Sequence, residues 1–426
     1  MKNTLKQLIL RFQERGLPHD LRPRAKNITP YLQTNNAVVI TGPRRAGKTY
    51  LLFQFMQDAG CSRKQIVYIN FEDNVLVDFT HKNFQDLMIA YQELYPGETP
   101  FFFLDEIHEV PQWERFVRTL VDNRYRVFVT GSNARLLSKE YATLLGGRYL
   151  ELELYPLSFQ EFLSFKEVKD LENILYSEKR FEILTLFEEY LNYGGFPEVV
   201  LAQDSGLKEK IIDAYFKTAF FKDIVERFRI RDEALFEVIL KKTAENLGKP
   251  FSFRSVANKV KQLGHSASTK TIVHYLQCAI HGYLLVPSYL KRESVLRRES
   301  ERKFYFVDNG YLSTFFASPN LGKKLENVIA ANLTIQGEKL FYYRNQGEID
   351  FILEEGMPIQ VCQDISHQET LQRELRSLNK YLKQTGLEEG LILSWNETDT
   401  VTIETKTIRV IPAWYFLLAH DVAHIR

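Results

Sequence analysis

Three apolar runs in the first part of the chain are short, rich in β-branched or aromatic residues, and end in glycine or polar residues. They read VVIT from Val38, FFFL from Phe101 and YRVFVT from Tyr125. Runs of this length and composition are typical of buried strands. An apolar stretch at helical spacing follows the first run after a glycine-containing loop. We therefore predict an α/β core whose ligands bind at the carboxyl ends of its strands.

The pattern changes twice further along the chain. Residues 166–228 place acidic and apolar residues at helical spacing, and residues 236–311 read as helix, glycine turn, helix, strand and hairpin. From Leu321 onwards, strands and helices alternate again, which suits a second α/β layer. We predict four domains, bounded as 1–164, 165–235, 236–312 and 313–426.

Composition narrows the class of protein. A chain of 426 residues with 45% apolar and 26% charged residues is globular and long enough for several cores. No run reaches the ~20 apolar residues of a membrane helix, and the N-terminus lacks the features of a signal peptide. We therefore expect a cytoplasmic protein with no membrane partner. Its three separated cysteines indicate neither a disulfide framework nor a zinc site.

The first loop carries the clearest chemistry. From Gly42 to Thr49 the chain reads GPRRAGKT, in which the glycines let backbone N–H groups surround a phosphate at a helix N-terminus. Lys48 would reach the β and γ phosphates of ATP, and the Thr49 hydroxyl would bind Mg²⁺. The residues expected to contact the nucleotide are Gly42, Pro43, Arg44, Arg45, Ala46, Gly47, Lys48, Thr49 and Tyr50.

Two carboxylates end the second strand. Asp105 would hold Mg²⁺, and Glu106 would act as the general base that orients and deprotonates the attacking water. The second carboxylate favours hydrolysis over nucleotide binding alone. Ser132 or Asn133, after the third strand, would sense the γ-phosphate, although a simple turn explains them equally well.

Arg148 follows two glycines and precedes another strand. It is a candidate catalytic residue in two ways, as an arginine finger on a neighbouring subunit's nucleotide or as a sensor on its own. A surface salt bridge is the third reading. Only the first of these requires a homo-oligomer.

Several segments together resemble one family of bacterial and archaeal AAA+-type ATPases. They read GPRRAGKT, FFFLDEIHEVPQWE, VTGSNARLLS, LLGGRYLELELYPLSFQEFL, YGGFPEVVL, AYFKTAFFKDIVERF, KFYFVDNGYL and GEIDFIL. The resemblance implies an origin-recognition-like P-loop NTPase core with a helical lid over residues 165–235. It also implies a C-terminal α/β domain with a restriction-endonuclease-like fold.

The region between lid and C-terminal domain is basic. From Phe236 to Tyr305 there are 13 lysines and arginines against 5 acidic residues. Two helices and a basic hairpin describe a winged helix that would bind the backbone of double-stranded DNA; a protein-binding module is the alternative. Lys291 and Lys303 would lie on the wing. The residues expected to contact DNA are Lys270, His274, Arg292, Arg297, Arg298 and Arg302.

The segment GEIDFILEEGMPIQVCQ resembles a metal-binding nuclease hairpin that has lost its chemistry. Asp350 fits the metal-binding aspartate, and Glu326 fits the acid on the neighbouring helix. Gln360 and Cys362 stand where the resemblance asks for glutamate and lysine, so the metal site and the electrophile are both incomplete. We predict a degenerate nuclease-like site formed by Glu326, Asp350, Gln360 and Cys362.

These expectations combine into one function. We predict an ATP-hydrolysing, Mg²⁺-dependent AAA+-like protein whose nucleotide state moves a DNA-binding winged helix and an inactive nuclease-like domain. The alternative is a nucleotide-switched module that turns over slowly or not at all and controls a protein partner.

Overall fold

The computed structural model describes residues 1–132, 143–169, 171, 173–262, 264–265, 267–291, 301–316, 320–345 and 347–418. The chain divides into two compact units, Met1–Tyr155 and Pro156–Arg426. None of the helices in the described residues is long and apolar enough to cross a membrane.

The first unit is built on a five-stranded sheet. Its strands are β1 Ala37–Thr41, β2 Ile66–Asn70, β3 Phe101–Asp105, β4 Arg126–Gly131 and β5 Tyr149–Glu153. They lie in the order β2-β3-β4-β1-β5, and every neighbouring pair is parallel. All carboxyl ends therefore meet at one edge of the sheet. Strand β4 separates the strand that precedes the glycine loop from the strand that ends in Asp105.

Helices cover both faces of this sheet. They are α1 Lys2–Arg15, α2 Thr29–Leu32, α3 Lys48–Asp58, α4 Phe84–Leu94 and α5 Trp113–Asp122. Val39 of β1 belongs to the core formed with α1, α4 and α5, whereas Val38 and Ile40 belong to the core formed with α3. Successive side chains of a strand point to opposite faces, and both faces of β1 are buried. Residues 37–40 of β1 are therefore all apolar.

The second unit begins with helices. They are α6 Phe159–Phe165, α7 Lys179–Tyr193, α8 Pro197–Leu201, α9 Ser205–Thr218, a π-helix Ala219–Glu226, α10 Glu233–Glu245, α11 Phe253–Gln262 and α12 Thr269–His281. Later come α13 Asn309–Ser313, α14 Leu321–Ile335, α15 Gln368–Thr385 and α16 Ala413–Phe416. The residues predicted as a lid, 165–235, belong to this unit.

One mixed sheet of eight strands runs through the second unit. Its strands are β6 Leu285–Leu290, β7 Arg302–Phe306, β8 Phe341–Arg344, β9 Glu348–Ile352, β10 Pro358–Val361, β11 Glu389–Ser394, β12 Asp399–Ile403 and β13 Lys406–Pro412. Their order is β12-β13-β11-β10-β9-β8-β6-β7. Strands β6 and β7 pair antiparallel, and β6 pairs parallel with β8. Residues 236–312 and 313–426 therefore share a continuous sheet.

The GGFP segment has a structural role in this unit. Asp308, at the start of α13, accepts hydrogen bonds from the backbone N–H groups of Gly195 and Gly310, both at 2.7 Å. A Cβ on Gly194 would lie 1.8 Å from Asp308 Oδ1, so the carboxylate packs where only glycine fits. Burial raises the pKa of Asp308 to about 6, although both hydrogen bonds oppose that shift. The contact ties the end of α7 to α13.

Candidate functional site

The glycine loop of the first unit is shaped by two unusual backbone conformations. Gly42 has φ 146°, and a Cβ there would lie 1.9 Å from the backbone oxygen of Leu154. Gly47 is left-handed, with φ 95°, and caps the N-terminus of α3. The two glycines thus let the chain pass closely under the end of β5 and turn into the helix. The loop places the first backbone N–H groups of α3 beside the carboxyl ends of the strands.

Lys48 is held inside this loop. Its side chain is 4% exposed, and its ammonium donates to the carbonyl oxygens of Pro43 at 3.1 Å and Gly42 at 3.3 Å. Its Nζ also lies 3.5 Å from Glu106 Oε1. A buried ammonium needs such partners, because desolvation without them is costly. The loop itself therefore positions the lysine, and the carboxylate of Glu106, the residue after β3, compensates its positive charge.

Asp105 is a fully buried carboxylate at the end of β3. It accepts hydrogen bonds from three hydroxyl groups: Thr130 at 2.5 Å to Oδ1, Thr49 at 2.8 Å and Tyr68 at 2.9 Å to Oδ2. Burial and the adjacent Glu106 raise its pKa, while the three hydrogen bonds oppose this. Thr49 and Asp105 are thereby brought together from opposite sides of β4.

Glu106 follows in a left-handed conformation, with φ 49°. Its backbone N–H donates to Thr130 Oγ1 at 2.8 Å, which fixes the residue against the neighbouring strand. Burial alone would raise the pKa of Glu106, but Lys48, then His108 and Arg44, lower it below its ordinary value. The carboxylate is thus ionised. Its Oε2 is buried and accepts no hydrogen bond from the residues that the structure describes.

These residues fit Mg²⁺ and a nucleotide triphosphate. A hydroxyl and a carboxylate oxygen 2.8 Å apart, Thr49 and Asp105, are hard oxygen ligands of the kind that Mg²⁺ prefers. The N-terminus of α3 and the Lys48 ammonium supply positive charge for phosphate oxygens. The buried acceptor at Glu106 Oε2 has the position and charge to bind a water.

The other predicted loop residues have varied surroundings. Arg44 forms an ion pair with Glu72, Nη1 to Oε1 at 2.7 Å, and Arg45 has φ 66°. The Ala46 carbonyl accepts from Arg24 Nη1 at 2.8 Å, which anchors the loop to the segment before β1. Tyr50 is 42% exposed and contacts Phe53, with ring centroids 5.8 Å apart. Pro43 contributes its backbone oxygen to Lys48.

Ser132 lies directly after β4, at the same edge as the loop. Its Oγ is 3.4 Å from His108 Nε2. This contact places Ser132 beside the turn that follows Glu106. Asn133, the other candidate, lies outside the described residues.

Arg148 is at the wrong edge of the sheet for its own nucleotide. It precedes β5, and its carbonyl accepts from the N–H of Ala37, the first residue of β1. The glycine loop follows the last residue of β1, about 16 Å away for a five-residue strand. Arg148 Nε instead contacts Asp122 Oδ1 at 2.5 Å. This position does not favour a sensor in cis, and the ion pair with Asp122 is the surface salt bridge of the third reading.

Two models of known protein families match parts of this chain. A family model described as AAA domain matches residues 34–163, and one described as a domain of unknown function (DUF8612) matches residues 184–321. The chain is 32% identical over 410 residues to the uncharacterized protein MJ1544 of Methanocaldococcus jannaschii, covering 93% of this chain and 91% of that protein. The chain belongs to the family of MJ1544, with a P-loop AAA-type core. The predicted AAA+-like core is thus confirmed.

Two further proteins are similar to this AAA-family chain. An uncharacterized protein of Haemophilus influenzae is 31% identical over 402 residues, covering 87% of this chain and 96% of that protein. A solved structure, the Walker-type ATPase PABY2304 of Pyrococcus abyssi, is 14% identical with a TM-score of 0.42, covering 70% of this chain and 99% of that one. That score is below 0.5, so membership in the family depends on the sequence matches.

In this family member, Tyr68, Thr130 and His108 join the site although none of the three was predicted to take part in it. Tyr68 reaches Asp105 from β2, Thr130 reaches it from β4, and His108 Nδ1 lies 3.2 Å from Glu106 Oε2. The polar Thr130 at the end of an apolar strand was the only local signal for any of the three.

The C-terminal hairpin of the AAA-family chain is held by a different set of side chains. Asp350 on β9 accepts from the N–H of Val361 at 3.0 Å and lies 3.4 Å from Lys303 Nζ. Gln360 accepts from the Asp350 N–H and donates to Glu374 Oε2 at 2.7 Å. Burial and then Glu326 raise the pKa of Asp350. The hairpin is thus tied to α15 through a neutral amide.

Lys303 corrects one prediction. It was expected on an exposed basic wing, but it is 0% exposed, and its Nζ lies 2.7 Å from Glu348 Oε1. Burial would lower its pKa, but Asp350, Glu326 and Glu348 raise it, so the lysine stays charged. The alternation of β7 turns this side chain towards β9.

The two other predicted members of the degenerate site make hydrogen bonds of their own, and Glu326 also acts electrostatically on Lys303 and Asp350. Glu326 on α14 accepts from the Tyr305 hydroxyl at 2.7 Å. Cys362 is buried, with Sγ 3.3 Å from the Asp364 carbonyl oxygen. A cavity of about 690 Å³ beside the hairpin is lined by Gly347, Glu348, Asp350, Gln360, Arg373, Glu374, Arg376, Ser377 and Lys380.

Three of the six predicted DNA contacts fall within the described residues. Lys270 and His274 are exposed on α12, whose N-terminus is capped by Ser268. Arg302 is half-buried over the Tyr289 ring at 5.4 Å. Arg292, Arg297 and Arg298 lie outside the described residues.

Proposed function

We propose that this protein is a Mg²⁺-dependent ATP hydrolase. The observation that carries the proposal is the convergence of Lys48, Thr49, Asp105 and Glu106 at one edge of the sheet. Glu106 Oε2 is buried there, 3.2 Å from His108 Nδ1, and accepts no hydrogen bond from the described residues. A site that only bound nucleotide would have no use for an ionised acceptor in that place. Phosphate release from ATP by the wild-type protein and by Glu106→Gln tests the proposal.

Each residue of the site has a distinct task in hydrolysis. Mg²⁺, held by Thr49 and Asp105, would neutralise charge on the phosphates. Lys48 would leave its carbonyl partners and Glu106 to bind phosphate oxygens, which frees the carboxylate. Glu106 Oε2 would then accept a proton from water while the water oxygen bonds to the γ phosphorus. The bond between the γ phosphorus and the oxygen of the leaving ADP breaks in the same step. The lowered pKa keeps Glu106 in the basic form that this transfer needs.

The second part of the proposal is contact with double-stranded DNA through a winged helix. Helices α11 and α12 pack together and precede the antiparallel β6–β7 pair. The exposed basic side chains of this region include Arg254, Lys259, Lys261 and Lys270. Within the described part of the chain, Lys259, Lys261 and Lys270 form no ion pair, which supports contact with phosphates and not with base edges. The burial of Lys303 removes one charge from this surface and favours the alternative, a protein partner.

Lys270→Ala should weaken DNA binding and lower the salt dependence of binding by about one phosphate contact. Filter binding to a duplex of arbitrary sequence, repeated over a salt series, measures both quantities. Lys210→Ala, which removes an exposed lysine from α9, is the matched control and should change neither. Absence of any DNA affinity at low salt would shift the proposal to the protein partner.

The third part is that the C-terminal region is nuclease-like and inactive. Lys303 places a positive charge near Asp350, but it is fully buried between Glu348 and Asp350 and cannot approach a phosphate. Gln360 contributes no charge and is bonded to Glu374. Loss of the metal-binding carboxylate and of a reachable electrophile each costs several kcal/mol of transition-state stabilisation.

Supercoiled plasmid incubated with the protein and Mg²⁺ should therefore stay intact, and Asp350→Ala should give the same result. Gel electrophoresis of the plasmid measures nicking. Cleavage by the wild-type protein that disappears in Asp350→Ala would contradict the assignment.

A role of Arg148 in trans, beside its ion pair with Asp122, would need a homo-oligomer. Particle mass measured with and without ATP tests for one, with Arg148→Ala as the comparison.

A further inference from the structure

His108 stands between two residues of the proposed ATPase site. It lies on the 3₁₀ turn Ile107–Glu109 that directly follows Glu106. One ring nitrogen, Nδ1, is 3.2 Å from Glu106 Oε2, and the other, Nε2, is 3.4 Å from Ser132 Oγ. The imidazole thus contacts the proposed base on one side and the proposed phosphate sensor on the other.

The end of β4 contacts this turn at two points. Thr130 binds the backbone N–H of Glu106, which fixes the main chain, and Ser132 contacts His108, which adjoins the Glu106 side chain. Backbone and side chain of the base are therefore held by different residues of the same strand end. Of these two connections, the one through Ser132 includes the side chain proposed to sense the terminal phosphate.

The charges around the imidazole explain its orientation. Glu106 faces Nδ1, while Glu109 Oε1 lies 3.6 Å from Nε2. Two basic side chains lie next to these carboxylates: Lys48 Nζ is 3.5 Å from Glu106 Oε1, and Arg44 Nη2 is 3.9 Å from Glu109 Oε1. Lys48 and the imidazole thus approach different oxygens of the Glu106 carboxylate, Oε1 and Oε2, respectively.

We infer that His108 is a positioning residue that transmits the state of Ser132 to Glu106. Contact of Ser132 with the terminal phosphate shifts its hydroxyl, the imidazole follows at Nε2, and Nδ1 orients the Glu106 carboxylate towards the attacking water. The inference rests on the proposed ATPase function and adds a regulatory link within the same site. In this role His108 acts through Glu106.

Matched substitutions separate the two contacts of the imidazole. His108→Ala removes both. His108→Asn retains an amide near the place of Nδ1 and therefore keeps the Glu106 contact but not the Ser132 contact. Ser132→Ala removes the sensor alone. His81→Ala, an exposed histidine of the same unit, is the control.

Two quantities are measured for each variant: the rate of steady-state ATP hydrolysis and the Kd of a fluorescent ATP analogue. The same measurements are made on Glu106→Gln and on the double variants that combine Ser132→Ala with each His108 substitution. Misplacing a base by about 1 Å costs up to about 100-fold in rate. We expect His108→Ala to lower kcat by about 10- to 100-fold with Kd nearly unchanged, and His108→Asn to lower it less. Ser132→Ala should lower kcat in the wild-type background and cause no further loss in either His108 background.

Several outcomes overturn the inference. One is a His108→Ala kcat equal to that of the wild type while Glu106→Gln is inactive. A second is a double variant in which the losses of kcat from Ser132→Ala and His108→Ala multiply, because the two residues would then act independently. A third is an increase in the Kd of His108→Asn with its kcat unchanged. If His108→Ala folds poorly, as a lowered melting temperature would show, His108→Asn decides by the same criteria. Turnover by Glu106→Gln would instead remove the proposed function itself, so the two failures are distinguishable.

Discussion

Glu106→Gln should bind ATP as well as the wild-type protein or better, and should hydrolyse it about 10²- to 10⁴-fold more slowly, the usual contribution of a general base. The amide has nearly the shape of the carboxylate but cannot take a proton at neutral pH. Its effect on binding is favourable because the substitution removes a negative charge 3.5 Å from Lys48, the residue that must engage the phosphates. Lys48 keeps its two carbonyl partners, so the loop is not left with an uncompensated buried charge.

Phosphate release and the Kd of the fluorescent ATP analogue, both with Mg²⁺, measure the two halves of this result. Glu98→Gln is the matched control, because it removes an exposed carboxylate shortly before the same strand. It should leave turnover and affinity unchanged. Undiminished phosphate release by Glu106→Gln would show that the carboxylate is not the base.

Local sequence predicted the parts of this site that a single loop or strand end creates. GPRRAGKT specifies a strand, a phosphate-binding loop and a helix through neighbouring residues alone, and Asp105 and Glu106 follow an apolar run that could only be a buried strand. Parallel strands bring their carboxyl ends to one edge, so the meeting of Thr49 with Asp105 also followed from the pattern.

The remaining contacts depend on strand order, which no local pattern contains. Tyr68 reaches Asp105 because β2 is the neighbour of β3, and Thr130 reaches it because β4 is the other neighbour. The three readings of Arg148 stayed open for the same reason. Its position just before a strand was visible, but its use depended on that strand being parallel to β1 and beginning beside Ala37.

Lys303 shows the limit of arguing from charge composition. It sits in a run of basic residues, and that run suggested the wing of a DNA-binding winged helix. Strand β7 alternates its side chains, however, and pairing in the eight-stranded sheet brings Asp350 and Glu348 within reach of this one. Glu348 and Asp350 lie 45 and 47 residues after Lys303 in the sequence, so no local pattern showed that this lysine would pair with them instead of lying on the wing.

Gly42→Ala should disable the nucleotide site through shape alone. The new Cβ would lie 1.9 Å from the Leu154 oxygen and 2.9 Å from its carbonyl carbon. Neither side can yield easily, because Leu154 N–H donates to Thr41 O at 2.8 Å and β5 pairs with β1 along its length. We expect a loss of about 2 to 4 kcal/mol in the free energy of unfolding, from overpacking and positive-φ strain together. Displacement of the loop should also lower ATP affinity by at least about tenfold, or about 1.4 kcal/mol.

Gly60→Ala separates collision from backbone strain. Gly60 also has a positive φ, 64°, but a Cβ there meets nothing within 4 Å. Its substitution should cost about 1 to 2 kcal/mol, the ordinary penalty for a left-handed non-glycine residue, and leave ATP affinity unchanged. Denaturant unfolding and nucleotide titration of both variants measure the comparison. Since only Gly42 adds a collision to the shared strain, equal behaviour of the two variants would show that the loop does not need the close approach to β5 in order to bind phosphate.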